Sequence, residues 1–224
     1  MSRESLLSDV ERYYTAKLNA HGPTPLGVDW NGPESQAVRF ERLLRVLDGG
    51  VPAPSLNDYG CGYGGLFEAL AARFDEFSYH GYDVSGAMLE AAHERHGSDP
   101  RAHFVATDGE LPVADFTVAS GICNVRLGHP DAEWHTYVLA LIDRLGALSR
   151  HGMAFNALTS HSDPERMRPD LYYADPAELL DYCLRRHTRD VRLYHDYELY
   201  EFTVVARLDG RPPVASSSKG GPGG

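Results

Sequence analysis

Three carboxylates and a glycine-rich turn are the residues of this 224-residue chain whose types and spacing could do chemistry. Leu56-Asn57-Asp58-Tyr59-Gly60-Cys61-Gly62-Tyr63-Gly64-Gly65 reads as a short strand ending in an acid, then a turn, then a helix start at Leu66. Tyr79-His80-Gly81-Tyr82-Asp83 repeats the arrangement, with a second strand ending in a second acid. Thr107-Asp108-Gly109 follows a third strand and places a third acid on the same edge. Acids and a glycine turn at the carboxyl ends of neighbouring parallel strands are what a nucleoside-binding α/β fold needs. Glycine lets the backbone approach the ligand, and a carboxylate accepts from ribose hydroxyls.

Two nucleoside classes fit these letters. Gly60, Gly62 and Gly65 satisfy G-x-G-x-x-G, and Asp83 lies near the distance at which an acid holds the ribose of NAD. The same turn suits the amino-acid end of S-adenosylmethionine. Four features favour the second class. Asp58 stands two residues before the first glycine, where a pyrophosphate gains nothing from a carboxylate but an ammonium or sulfonium does. The motif lies behind two helices and a Trp-containing loop, whereas a nicotinamide domain usually starts its chain with it. Asp108 adds the third acid, and the last two strands are joined too tightly to be parallel.

The elements that must hold these residues follow from periodicity. Helical spacing runs through Leu6, Leu7, Val10, Tyr13, Tyr14 and Leu18, and His21 to Gly32 breaks it. A second helix starts at Pro33 and carries Val38, Leu43, Leu44 and Leu47 to Asp48-Gly49-Gly50. Strands are expected at 55–60, 78–83, 102–106, 115–122 and 151–158, and helices at 65–74, 86–96 and 132–149. A helix at 176–187, capped by Asp175, precedes strands at 191–194 and 202–207. The reading is an α/β fold with a doubly wound, seven-stranded, mostly parallel sheet whose last strand is antiparallel. Three segments are expected: residues 1–50 as an N-terminal helical lid segment, 51–208 as the nucleoside-binding domain, and 209–224 as a disordered tail.

Composition excludes several classes. A net charge of −11 argues against a phosphate backbone as partner. Arg185, Arg186, Arg189 and Arg192 form the one basic cluster and read as a solvated helix end. Three scattered cysteines, Cys61, Cys123 and Cys183, show no metal spacing and suit a reduced compartment. With no signal-peptide run and no long apolar stretch, a cytoplasmic protein without membrane contact is expected.

The chain resembles the class I S-adenosylmethionine-dependent methyltransferases over about residues 30–207. Asp58-x-Gly60-x-Gly62-x-Gly64 is similar to that family's first motif, Tyr82-Asp83-Val84-Ser85 with Met88-Leu89 to its second, and Ala106-Thr107-Asp108 to its third. The resemblance implies a strand order of 3-2-1-4-5-7-6 and S-adenosylmethionine as cofactor. It further implies that Asp58 organises the amino-acid end, beside Gly60, Gly62 and Gly121. Asp83, followed by Val84, would accept from both ribose hydroxyls. Met88 would lie against the adenine, and Asp108, after Thr107, would accept from its amine.

Methyl transfer is an in-line displacement, so positioning and desolvation can supply most of the acceleration. The acceptor site is therefore expected at the end of the fourth strand, where Asn124, Arg126 and His129 are the polar candidates for catalysis. Trp30, Gln36, Tyr172 and Tyr173 are expected around the substrate, and Arg39 at the cofactor carboxylate. A small-molecule acceptor with an amine, hydroxyl or carboxylate is the expected substrate. An enzyme that cyclises the cofactor's own aminobutyryl chain would keep the same acids but need only a small, closed substrate pocket.

Overall fold

The structure, a computed structural model, describes residues 3–210. The expected tail lies, beyond Gly210, outside the described residues. Seven strands alternate with helices: β1 (Ser55–Tyr59), α3 (Gly65–Ala71), β2 (Ser78–Tyr82), α4 (Gly86–His96), β3 (Ala102–Val105), β4 (Ala114–Ala119), α5 (Asp131–Ala147), β5 (Ser149–Leu158), α6 (Pro176–Arg186), β6 (Asp190–Tyr194) and β7 (Glu201–Arg207). Ahead of them stand α1 (Arg3–His21), a 3₁₀ turn at Pro25–Val28 and α2 (Pro33–Leu43), which tightens into a second 3₁₀ turn at Leu44–Leu47.

The sheet order is β3-β2-β1-β4-β5-β7-β6. β1 pairs parallel with both β2 and β4, and β7 pairs antiparallel with both β5 and β6. The short β6–β7 connection dictates that antiparallel pairing. Asp58 stands in register with Gly81 of β2 and Val118 of β4, so it sits at the centre of the sheet near its carboxyl edge. Order reverses between β1 and β4, and the crevice that opens there is where ligands of such sheets bind.

Side chains from the two faces of the sheet fill two apolar cores. Trp134, Val138, Ile142, Phe155, Leu179 and Phe202 belong to the α5–α6 side. Leu43, Leu66, Leu70, Leu89 and Phe116 belong to the α2–α3–α4 side. Caps fix helix starts near the ligand edge: Ser85 accepts from the Met88 N–H at 3.3 Å, which begins α4 immediately after Asp83. Asp175 likewise accepts from Ala177 at α6, with Pro176 in the first turn.

Several expected elements end earlier than their sequence patterns, β1 and β2 by one residue each. β4 stops at Ala119 rather than 122, because Gly121 turns the chain with φ +75°. The helix expected to reach 74 ends at Ala71, and β3 ends at Val105. Among the described residues, no helix is long and apolar enough to cross a membrane.

Candidate functional site

The turn after β1 is built from three glycines with positive φ, Gly60 (84°), Gly62 (54°) and Gly64 (79°), at every second position. Gly65 lacks a positive φ and opens α3. The working motif is thus acid-x-Gly-x-Gly-x-Gly rather than G-x-G-x-x-G. A Cβ on Gly60 would lie 2.3 Å from Ile122 Cγ2, so this backbone passes against the β4 loop with no room for a side chain. The turn hangs from the end of β2: the Gly60 and Cys61 N–H groups donate to the Tyr82 carbonyl at 2.7 and 2.9 Å.

Asp83 completes that link. Its Oδ2 accepts from the Gly62 N–H at 2.8 Å and its Oδ1 from the Ser85 N–H at 2.9 Å. Burial pushes its pKa up to about 6, against the opposing pull of the Ser85, Gly62 and Val84 amides. Asp58 is buried too and accepts from the Tyr79 hydroxyl at 2.7 Å. Burial pushes it up to about 7; the Tyr79 hydrogen bond resists, and the Asp83 charge adds to the rise. Two carboxyl groups held out of water beside one cradle are primed for a ligand that supplies hydroxyl or ammonium donors.

The cavity between these acids holds only about 50 Å³, with Met88 and Gln36 also in its wall. Small-ligand sites usually measure roughly 300–1,000 Å³. Tyr14 of α1, Val28 of the 3₁₀ turn and Trp30 close over it. Asp29 locks that cover: it accepts from the Tyr13 hydroxyl (2.7 Å), Lys17 (2.6 Å) and Arg168 (3.2 Å) of the loop after β5. Burial alone would raise the Asp29 carboxyl, but the Lys17 and Tyr13 hydrogen bonds outweigh it and hold it below the usual value.

Beside this cavity lies a larger vestibule of about 410 Å³, lined by Arg39, Asn124, Arg168, Tyr173 and Glu201 among others. Gly121 lines both spaces, its N–H donating to Asn156 Oδ1 at 2.7 Å, and a Cβ there would lie 3.2 Å from Trp30 Nε1. Asn156 also donates to Ser120 at 3.1 Å, so one buried amide on β5 shapes the whole β4 loop.

Of the residues singled out from sequence, Asp58, Gly60, Gly62, Asp83, Met88, Gly121, Trp30 and Gln36 line the inner cavity. Val84 lines a neighbouring cleft under α1. Asn124 and Tyr173 reach the vestibule, although Asn124 Oδ1 is committed to the Leu158 N–H. Arg39 also lines the vestibule rather than the inner cavity, and its guanidinium grips buried Glu201 at 2.8 and 3.0 Å through Nε. Arg126, His129, Tyr172, Thr107 and Asp108 line neither space. Arg126 binds the His129 and Leu171 carbonyls, and His129 Nε2 meets Asp9 of α1 at 3.1 Å. Tyr172 pairs with His135, and Thr107 is exposed. The Asp108 carboxylate accepts from Tyr59 at 3.0 Å, with Arg144 at 3.5 Å. Among the described residues, no cluster of His, Cys, Asp and Glu could hold a metal.

Sequence reasoning passed over Tyr14, Asn156 and Glu201. Tyr14 falls on a helical apolar stripe and Asn156 inside a strand, so neither has a local signal for its position. Glu201 is detectable only through its partner, 162 residues earlier in the chain.

A sheet in this order, a three-glycine turn between two buried acids and a covering N-terminal helix define a nucleoside-dependent α/β enzyme. The family profile described as "Methyltransferase domain" matches residues 57–146. Rv1506c of Mycobacterium tuberculosis, a protein assigned as a methyltransferase, is 48% identical over 164 residues, covering 73% of this chain and 98% of that protein. In fold, the chain is similar to the N-methyltransferase NodS from Bradyrhizobium japonicum WM9, solved with S-adenosylhomocysteine (TM-score 0.63, 16% identity, covering 88% of this chain and 97% of that one). It is also similar to magnesium protoporphyrin IX methyltransferase from Synechocystis PCC 6803, solved with S-adenosylmethionine (TM-score 0.60, 16% identity, 90% and 96% covered). The chain belongs to the class I S-adenosylmethionine-dependent methyltransferases. S-adenosylmethionine is the cofactor of this family.

Proposed function

We propose that this enzyme methylates a small molecule through an amine, hydroxyl or carboxylate, with the donor in the inner cavity and the acceptor in the vestibule. The observation that carries the reading is the adjacency of the two spaces across Gly121 and Trp30. A bounded vestibule of about 410 Å³ suits a metabolite-sized acceptor. The same volume speaks against an enzyme that only cyclises its cofactor, which needs no second chamber.

Asp83 would hold the ribose hydroxyls with lone pairs not used by Gly62 and Ser85. Asp58 and the positive-φ turn would take the amino-acid end, and Met88 would flank the nucleoside. Asp108 is a weaker candidate for the adenine amine, since Tyr59 and Arg144 already engage it. Bound S-adenosylmethionine supplies an electrophilic methyl group. Residues 3–50 act as the lid, excluding water once the acceptor is in place. A cytoplasmic location and the absence of nucleic-acid partners complete the proposal.

The test is incubation with methyl-deuterated S-adenosylmethionine and a low-molecular-mass metabolite extract, read by mass spectrometry. Labelled methyl on a small metabolite, with S-adenosylhomocysteine released, is expected. Release of methylthioadenosine instead would contradict the reading.

A further inference from the structure

The inner cavity and the vestibule share a wall, and a methyl group passing from one to the other has to cross it. Four residues line both spaces: Tyr14, Val28, Trp30 and Gly121. Gly121 offers only backbone, Val28 is apolar, and an indole N–H can donate but not accept. Tyr14 alone carries a group that can do either. It also lines the cleft beneath α1 together with Tyr59, Gly60 and Asp83, so it touches every chamber around the glycine turn.

The neighbouring Tyr13 spends its hydroxyl on Asp29, whereas the Tyr14 hydroxyl has no hydrogen-bonding partner among the described residues. Its ring is fixed edge-on against Tyr13, with centroids 5.3 Å apart. Burial first, then the fields of Tyr13, Asp29, Asp83 and Tyr137, raise the phenol far above its ordinary value. The group therefore stays neutral and acts as a hydrogen-bonding hydroxyl, not as a base.

We propose that the Tyr14 hydroxyl is a catalytic residue, stationed beside the transferring methyl on the shared wall, where it hydrogen-bonds the acceptor atom and aims its lone pair. This rests on the donor-and-vestibule reading above. The acceptor lone pair forms the new bond to the methyl carbon while the carbon–sulfur bond breaks. The electron pair of that bond returns to sulfur and leaves a neutral thioether. A neutral amine becomes a methylated ammonium and passes its extra proton to water in the vestibule; an oxygen already ionised has none to lose. Tyr14 accepts from the amine N–H or donates to the oxygen, and keeps its own proton throughout. Because it rides on α1, this hydroxyl reaches the methyl only when the lid is shut, so closure and chemistry are coupled.

The test needs no identified acceptor. Sinefungin carries an amine on the carbon that replaces the methylsulfonium, so its ammonium stands where the methyl would be; S-adenosylhomocysteine has nothing there. Calorimetric titration of the full chain and of Tyr14→Phe with both ligands separates the roles. The expected result is about tenfold weaker sinefungin binding by Tyr14→Phe, with S-adenosylhomocysteine affinity and melting temperature unchanged. Unchanged sinefungin affinity, or equal losses for both ligands, would overturn the proposal. Failure of the wild-type chain to bind either ligand would overturn the donor-site reading itself, and the proposal with it.

Discussion

Asp83 joins three parts of the site at once, tying the glycine turn to the end of β2 and to the start of α4. Replacing it by alanine removes a charged acceptor, a loss of roughly 1.5–3 kcal/mol. We expect Asp83→Ala to weaken S-adenosylhomocysteine binding at least about tenfold in calorimetry, with a thermal melt showing the fold intact. The pH dependence has two signs. Asp83 and Asp58 titrate at about 6 and about 7 in the folded chain, against an ordinary value of 3.8. Between those values the folded state holds more protons than the unfolded state, so stability of the free protein falls as pH rises through that window. Ligand affinity runs the other way, because Asp83 accepts from ribose hydroxyls most strongly when ionised. Melting temperature and S-adenosylhomocysteine affinity measured from pH 5 to pH 8 are expected to move in opposite directions, and Asp58→Asn is expected to flatten the stability trend. These two acids were legible in the sequence because their neighbours along the chain announce them. The surroundings of Asp108 were not, since Tyr59 and Arg144 reach it from other elements.

At the level of elements, the proposed lid would govern access. An inner cavity of about 50 Å³ is smaller than a nucleoside needs, so in the proposed scheme α1 and the Trp30 segment withdraw to admit it. Asp29 joins α1 through Tyr13 and Lys17 to the loop after β5 through Arg168, so it is the clasp to break. Asp29→Ala is expected to speed amide hydrogen exchange in α1 of the free protein several-fold, and bound S-adenosylhomocysteine is expected to erase the difference. Equal exchange in both free proteins would show that the clasp does not hold the lid. Gly60 makes the opposite demand, for rigidity. Gly60→Ala forces a side chain into Ile122 at φ 84° and is expected to lower stability by about 1–3 kcal/mol, read by urea denaturation. Periodicity located every strand and α-helix of the sheet domain, because alternation and helical stripes are local properties. It missed where β4 gives way to the loop, which depends on Gly121 being gripped by Asn156 from the neighbouring strand.

Across the whole molecule, the sheet order that the family resemblance implies is the one observed. The residues after β4 were far less legible: Arg126 and His129 follow β4 as expected, yet their partners Leu171 and Asp9 fold in from distant segments. Net charge is −11, and three of the four arginines of the basic cluster are countered, Arg185 by Asp181, Arg186 by Asp143 and Arg192 by Asp190. We accordingly expect no change in the fluorescence anisotropy of labelled DNA or RNA at physiological salt. The central claim is that the turn after Asp58 receives a sulfonium nucleoside rather than a dinucleotide, and one calorimetric comparison tests it most directly. The purified chain is titrated with S-adenosylhomocysteine and, separately, with NADH. Saturable one-to-one binding of S-adenosylhomocysteine with no measurable heat from NADH is the predicted result; tighter binding of NADH would contradict it.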